Sequence, residues 1–323
     1  MATPTRTEFG PGAGAAVLAV VVAFFPDARK FVPLVESLCR QAQGVIVVDN
    51  TPAEGAGAAM AMLEPLRERF PELQLAALGE NLGIAAAQNI GIRLAIERGD
   101  EYVLLSDQDS RPGEGMVAAL VATARELQAS GALVGCVCPV YFDEVTGQSF
   151  GLQTQTPERF LYDNTPGESA MPWVEVVTAI SSGSLLPVRT LQRVGGMRED
   201  FFIDQVDMEW CHRARSHGFA NFGTARARLA HSLGDAPLRA WCFGWRDLSE
   251  YPPTRLYYRF RNFVLLARLS YVPLRWSIRA GGYWLLSLYA HCVFARRRMD
   301  NAKAIARGLR DGLLGRSGRM PAP

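Results

Sequence analysis

Between residues 17 and 141, short apolar runs rich in β-branched side chains alternate with stretches of helical periodicity, and nothing else in the chain constrains its fold as tightly. The runs occupy 17–24, 44–49, 73–78, 102–106 and 133–141, and helical patterns fill 31–40, 58–69, 84–98 and 114–130. Runs with little polar alternation suit strands buried on both faces, as in a parallel sheet, with the intervening helices covering those faces. The expectation is an α/β fold, a mostly parallel central sheet flanked by helices.

With 323 residues, 49% of them hydrophobic, the chain can bury one large domain plus an appendage, or two small domains. A net charge of +2 gives no electrostatic footprint for nucleic acid, so no such partner is expected. The six cysteines lack a C-x-x-C spacing, which argues against a zinc ribbon or a disulfide scaffold and for a reducing cytoplasm. The apolar run 15–25 has no small-residue cleavage site and reads as a buried strand rather than a signal peptide. Residues 1–14, rich in Gly, Pro and Thr, read as a disordered lead-in. Periodicity fades between 147 and 172, which suggests a long loop or lid. After Pro252-Pro253 the composition turns to Arg, Tyr, Trp and Leu at helical spacing, so a boundary is placed near Glu250, between a domain of 15–250 and a helical region of 251–323.

Parallel sheets bind ligands beyond the carboxyl ends of their strands. Asp49-Asn50 and Ser106-Asp107-Gln108-Asp109 fall at such ends. The two carboxylates of Asp107 and Asp109 can share one hard cation, Mg²⁺ or Mn²⁺, and that cation would neutralise a diphosphate. The plainer alternative is an Asx-turn with two solvated acids. Farther on, Asp204, Asp207 and Glu209 sit among Phe201, Phe202, Ile203, Met208 and Trp210, a setting that raises a carboxyl pKa and suits a general base. Asp204 or Asp207 would equally serve as a helix cap. His231 precedes Ser232-Leu233-Gly234-Asp235 at another strand-like end, as a surface residue or a further metal ligand, whereas His212, His217 and His291 read as structural.

Taken in order, several motifs carry a resemblance: Val-Val-Ala-Phe-Phe-Pro at 21–26, Ile-Val-Val-Asp-Asn at 46–50, Asn-Leu-Gly-Ile-Ala-Ala-Ala-Gln-Asn-Ile-Gly at 81–91, and Leu-Ser-Asp-Gln-Asp-Ser at 105–110. They continue with Ile-Ser-Ser-Gly-Ser at 180–184, Phe-Ile-Asp-Gln-Val-Asp-Met-Glu-Trp-Cys at 202–211, His-Ser-Leu-Gly-Asp at 231–235 and Tyr-Arg-Phe-Arg-Asn at 258–262. Together they resemble family 2 glycosyltransferases of the GT-A (Rossmann-like) fold, and within that family the bacterial rhamnosyltransferases.

The resemblance implies an inverting, metal-dependent transfer of L-rhamnose from dTDP-L-rhamnose to a surface-polysaccharide or lipid-linked glycan. It implies that Asp49 meets the nucleobase or ribose, that the loop through Asn81, Gly83 and Asn89 packs on the nucleotide with Gly83 allowing close approach, and that Asp107, Gln108 and Asp109 take the donor. Asp207 would be the base with Glu209 the neighbouring acid, and Asp204 is one carboxylate more than the pattern needs. His231 matches a histidine that galactofuranosyltransferases use on the metal. Ser182 and Gly183 would line the sugar or acceptor pocket, with Trp173 or Trp210 stacking on a sugar face. Arg261, four residues after Tyr257 on one helix face, would reach phosphate. A galactofuranosyl or other hexosyl donor is the nearest alternative. A metal-dependent nucleotidyltransferase is a rival class, although no Gly-rich triphosphate loop follows the first strand; a non-catalytic glycan-binding protein is another.

The apolar stretch 280–295 is too short to span a bilayer and is bracketed by Arg275, Arg279 and Arg296-Arg297-Arg298. It reads as an interfacial helix that sets Trp276, Tyr283, Trp284 and Tyr289 at the headgroups of the inner face of the cytoplasmic membrane. The alternative is a helix packed on the catalytic domain or on another subunit, so an oligomer stays open.

Overall fold

The computed structural model describes residues 15–55, 57–142, 149–150, 152–155, 160–163, 172–230 and 236–321. The expected lead-in at 1–14 lies outside them, as does His231 with the four residues after it.

The amino-terminal half runs β1 (Val17–Ala23), α1 (Ala28–Gln41), β2 (Gly44–Pro52), α2 (Ala58–Arg69), β3 (Leu73–Gly79), α3 (Ile84–Arg98) and β4 (Tyr102–Asp107). There follow β5 (Arg111–Pro112), α4 (Met116–Ala129), β6 (Val134–Phe142), β7 (Ser149–Phe150), β8 (Leu152–Gln155), β9 (Phe160–Asp163), β10 (Trp173–Thr178) and β11 (Leu185–Pro187). The rest comprises α5 (Val188–Val194), α6 (Val206–Ser216), β12 (Ala220–Ala230), β13 (Ala236–Trp241), β14 (Trp245–Glu250), α7 (Pro253–Ala267), α8 (Leu274–Val293) and α9 (Arg298–Leu313).

The main sheet is ordered β3-β2-β1-β4-β11-β6-β12-β10-β8-β9. β3, β2, β1 and β4 are parallel neighbours, as their apolar runs demand, and every residue of β1 is buried. Beyond β4 the sheet becomes mixed: the short β11 inserts antiparallel between β4 and β6, and β6 pairs in parallel with β12. From β1 the chain builds outward through β2 and β3, then returns to lay β4 on the other flank. A crevice opens at such a reversal, outside the carboxyl ends of β1 and β4.

Two expectations change. Part of the segment expected as a loop is strand: β8 pairs antiparallel with β10 and β9 pairs with β8. Leu152 and Thr154 of β8 point inward on alternate positions, 3% and 5% exposed. Four residues with one large apolar side chain give no readable period, and these strands are stabilised by the neighbours they pair with. The second change is in α8. Trp276 and Trp284, expected at lipid headgroups, are 3% and 6% exposed: Trp276 stands edge-on to the His212 ring at 4.5 Å, and Trp284 packs on Phe260 and Phe263. The indole face of the helix therefore belongs to the protein.

Candidate active site

The crevice is closed at its base by backbone and amide contacts. Gln108, just past β4, accepts from the Phe24 amide at 2.6 Å and donates to the Phe24 carbonyl at 3.0 Å, tying the ends of β4 and β1 together. Gln108 was expected to take the donor; its side-chain amide is instead committed to this brace. At the end of β2, Asp49 is 2% exposed and its Oδ1 accepts from the Thr51 amide. Asn50 Nδ2 donates to Asn81 Oδ1 at 3.0 Å, while Asn50 Oδ1 accepts from Leu82 N and Asn81 Oδ1 from Gly83 N. The two asparagines thus shape the loop that leads into α3.

Gly83 has φ +89°, and a Cβ there would lie 2.6 Å from the Phe202 carbonyl oxygen. The close approach that this glycine permits is to the loop ahead of α6, whose Phe202 carbonyl accepts from the Ile84 amide at 2.7 Å. Asn89, expected near the nucleotide, is buried on the far side of that junction. It accepts from Met197 N and donates to Met197 O and Glu199, so it pins the 197–199 segment to α3.

β4 delivers Asp107 half-buried and Asp109 exposed at the mouth of the crevice. Beneath them runs the 181–184 turn. Ser182 Oγ accepts from the Asp107 amide at 3.1 Å and lies 2.6 Å from Ser110 Oγ. Gly183 N donates to Leu105 O, and Leu105 N to Ser184 O. At φ +78°, Gly183 has Leu229 and Pro139 where a Cβ would sit, each at 2.9 Å. Ser182 and Gly183 are therefore the floor under the aspartate pair.

The same turn reaches Asp207 in the first turn of α6, where Oδ2 accepts from the Ser181 amide at 3.3 Å and Oδ1 from Met208 N at 2.8 Å. The helix N-cap is Gln205, with no side-chain cap, so neither Asp204 nor Asp207 serves the capping role weighed from sequence. Behind Asp207 lies a cavity of about 10 Å³, barely a water's worth, lined by Leu105, Cys136, Leu186, Trp210 and Cys211 among others. Burial pushes the Asp207 carboxyl up to about 6. The charges of Asp107 and Asp204 push the same way, while the Met208 and Ser181 amides pull it back. The effect of Asp107 couples that carboxylate to Asp207 electrostatically.

The loop ahead of α6 is strained and heavily pinned. Phe202, Asp204 and Gln205 have φ of 64°, 66° and 65°, sparsely populated values for residues with side chains. Asn262 Nδ2, from α7, lies 2.8, 2.8 and 2.9 Å from the carbonyl oxygens of Phe201, Ile203 and Asp204. The Asp204 carboxylate is held between Arg255 at 3.2 Å and Arg259 at 3.3 Å.

Several expected site residues lie elsewhere. Arg261 is fully buried, and its guanidinium donates to Asn262 Oδ1, Phe201 O and Gly318 O. It does not present itself to a phosphate, because its face of α7 packs inward. Glu209 is fully buried in a two-pronged ion pair with Arg213 and also accepts from the Tyr271 hydroxyl. Trp210, 2% exposed, donates to Gly195 O, so its ring is core rather than a sugar platform. Trp173 lies on β10, half-buried and edge-on to Phe222 at 5.8 Å. Ser181, Ser110, Asn262, Arg255 and Arg259 had no role assigned from sequence, although all but Arg255 lie within the motifs that carry the family resemblance.

Among the described residues no group of three or more His, Cys, Asp and Glu side chains forms a ready-made metal cage. Asp107 and Asp109 nevertheless supply two hard carboxylates at an open mouth. That suits Mg²⁺ or Mn²⁺, which bind through one or two carboxylates and complete their shell with phosphate oxygens and water.

Comparison with known proteins agrees with this layout. Residues 19–183 match the family described as Glycosyl transferase family 2. The chain is 30% identical over 302 residues to the dTDP-rhamnosyl transferase RfbF of Shigella flexneri, covering 94% of this chain and 97% of that one. It is 27% identical to the galactofuranosyltransferase GlfT1 of Mycobacterium tuberculosis, covering 76% and 80%. In fold it is similar to the crystal structure of GalNAc-T7 with UDP, GalNAc and Mn2+, with a TM-score of 0.58 at 10% identity over 93% of this chain and 56% of that one. That likeness speaks for a GT-A-like architecture alone. A family match across half of the sequence, joined by a relative similar along nearly its whole length, makes this chain a member of glycosyl transferase family 2 and a hexosyltransferase.

Proposed function

We propose that this chain is an inverting, cation-dependent rhamnosyltransferase, moving L-rhamnose from dTDP-L-rhamnose to a surface-polysaccharide or lipid-linked glycan. The observation that carries the mechanism is the 181–184 turn, which takes the Asp107 amide on Ser182 and gives the Ser181 amide to the Asp207 carboxylate, a group that burial raises to about 6. At neutral pH such a group is largely ionised yet more basic than an ordinary carboxylate, as a general base requires. It takes the proton of the acceptor hydroxyl while that oxygen bonds to the anomeric carbon, and the carbon–oxygen bond to the diphosphate breaks with its electron pair leaving on the nucleotide. Asp107 and Asp109 would hold the cation, which when bound supplies a Lewis acid for the departing diphosphate. The Ser181–Ser184 turn keeps base and aspartate pair in fixed relation, and Asp49 with the Asn50–Asn81 loop borders the nucleotide.

Support for the sugar is the similarity to RfbF along 94% of the chain. The similarity to a galactofuranosyltransferase supports a second donor, galactofuranose. Both readings are tested by offering purified protein a panel of nucleotide sugars with Mg²⁺ or Mn²⁺ and following nucleoside diphosphate release. Turnover of dTDP-rhamnose and not UDP-galactofuranose supports the first donor; the reverse result overturns it. Inertness toward both donors, with turnover of another nucleotide sugar, would overturn both readings.

A further inference from the structure

β13 and β14 form a hairpin of their own, outside the main sheet. Its register sets Leu238 opposite Leu248, Arg239 opposite Asp247 and Trp241 opposite Trp245. Leu238 and Ala240, with Leu248, pack inward on Ala290, Phe294 and Ala295 around the end of α8. Strand alternation sends Trp241 and Trp245 to the other face, 51% and 60% exposed. At the tip Phe243 is 94% exposed with φ 49°, a strained conformation for a bulky residue. A two-stranded hairpin gains nothing in water from three uncovered large aromatic rings.

The helix on which the hairpin rests repeats the pattern. Leu274, Ile278, Leu285, Tyr289 and Val293 recur at spacings of four and seven on the outer face of α8 and are all exposed. No described helix is long and apolar enough to cross a membrane, so this face can lie on a bilayer but not pass through it.

Charge names the occupant. Residues 253–323 carry fourteen Lys and Arg against two Asp, whereas the preceding 252 carry twenty against thirty Asp and Glu. Arg239, on the hairpin, lies over the Trp245 ring at 5.0 Å and Arg246 is exposed; exposed Asp247 stands opposite Arg239, so the cationic excess comes from the 253–323 segment. Indole and phenyl rings bordered by cations suit the interface of an anionic bilayer. A second copy docking on the same face would bring two cationic regions together.

We propose that the hairpin tip, Trp241, Phe243 and Trp245, together with the outer stripe of α8, docks this protein on an anionic lipid surface, with Phe243 as the leading wedge. The surface is independent of which sugar is transferred, and its test needs no donor. The protein is floated with phosphatidylcholine vesicles and with vesicles in which about a quarter of the lipid is phosphatidylglycerol. We expect capture by the anionic vesicles, weakened by salt, and about a tenfold loss of partitioning in a W241S/F243S/W245S variant. An unchanged thermal midpoint confirms that this variant is folded, and Leu285→Ser examines the helix stripe separately. Wild-type protein that stays off both kinds of vesicle, or a triple variant that floats as well as wild type, overturns the proposal. Self-association that the triple variant abolishes, without vesicle capture, assigns the face to a second copy instead.

Discussion

The amide of Asp107 donates to Ser182 Oγ at 3.1 Å, and one residue earlier the Ser181 amide donates to Asp207 at 3.3 Å. Two acidic groups a hundred residues apart in sequence are thus fixed to adjacent links of one turn.

Ser182 is fully buried, and its hydroxyl serves both the Asp107 amide and Ser110. Ser182→Ala leaves those partners unsatisfied and is expected to cost about 1–3 kcal/mol of stability, read from urea unfolding. Donor affinity should fall with it, because Asp107 loses its anchor; unchanged affinity would remove the turn from the donor site.

Asp207→Asn keeps the shape of the side chain but cannot take a proton. Transfer should drop about 10²–10⁴-fold with donor binding retained, measured by turnover and by calorimetric titration of the nucleotide sugar.

The pH dependence has a definite sign. The folded Asp207 carboxyl sits near 6, above its value in the unfolded chain, so the native state binds the extra proton. This group's contribution to stability is full below about pH 4 and is lost as pH rises through about 6. The transfer rate should do the opposite, rising about tenfold per pH unit up to a plateau above about 6. In cation-free protein, Asp107→Asn, by removing a neighbouring negative charge, should lower the pH at which the Asp207 carboxyl takes up its proton, read from the pH dependence of stability. An unchanged dependence would show the two carboxylates to be uncoupled.

Asn262 touches neither crevice carboxylate, yet its amide holds three carbonyls of the strained loop before Asp207. Asn262→Ala is expected to lower kcat by about tenfold or more while leaving the donor KM nearly unchanged. Release of the loop should also let water reach Asp207 and move the acid limb below 6. A loss of stability with no change in the pH profile would make Asn262 a purely structural residue.

Removal of divalent cations by a chelator should abolish transfer and weaken donor binding, with Mg²⁺ or Mn²⁺ restoring both. Asp109→Asn is expected to raise the cation concentration needed for half-maximal rate. Full activity in chelator would sink the cation-dependent reading.

The sheet was legible because its signal is local. Uninterrupted apolar runs such as 17–23 and 102–106 can satisfy their burial only between other strands, and the acidic residues that end them mark where the sheet meets solvent. β8 was not legible, since its four residues are strand only because β10 stands beside them. Among the carboxylates, composition named Asp204, Asp207 and Glu209 as a cluster, and only the family resemblance singled out Asp207 as the base. Their fates differ by what packs against each: Asp204 meets two arginines, Glu209 meets Arg213 and Tyr271, and Asp207 accepts from the Ser181 and Met208 amides and feels the charge of Asp107.

Composition and period therefore determined the strand and helix order, the strand-end aspartates and the acidic segment, each a property of neighbouring residues in the chain. Only the tertiary structure decided that Arg261 turns inward, that the tryptophans of α8 are core, and that exposed tryptophans sit near the tip of a hairpin instead. Those outcomes depend on which face of a helix or strand finds a partner. That choice is made by packing between elements far apart in sequence, which no local pattern records.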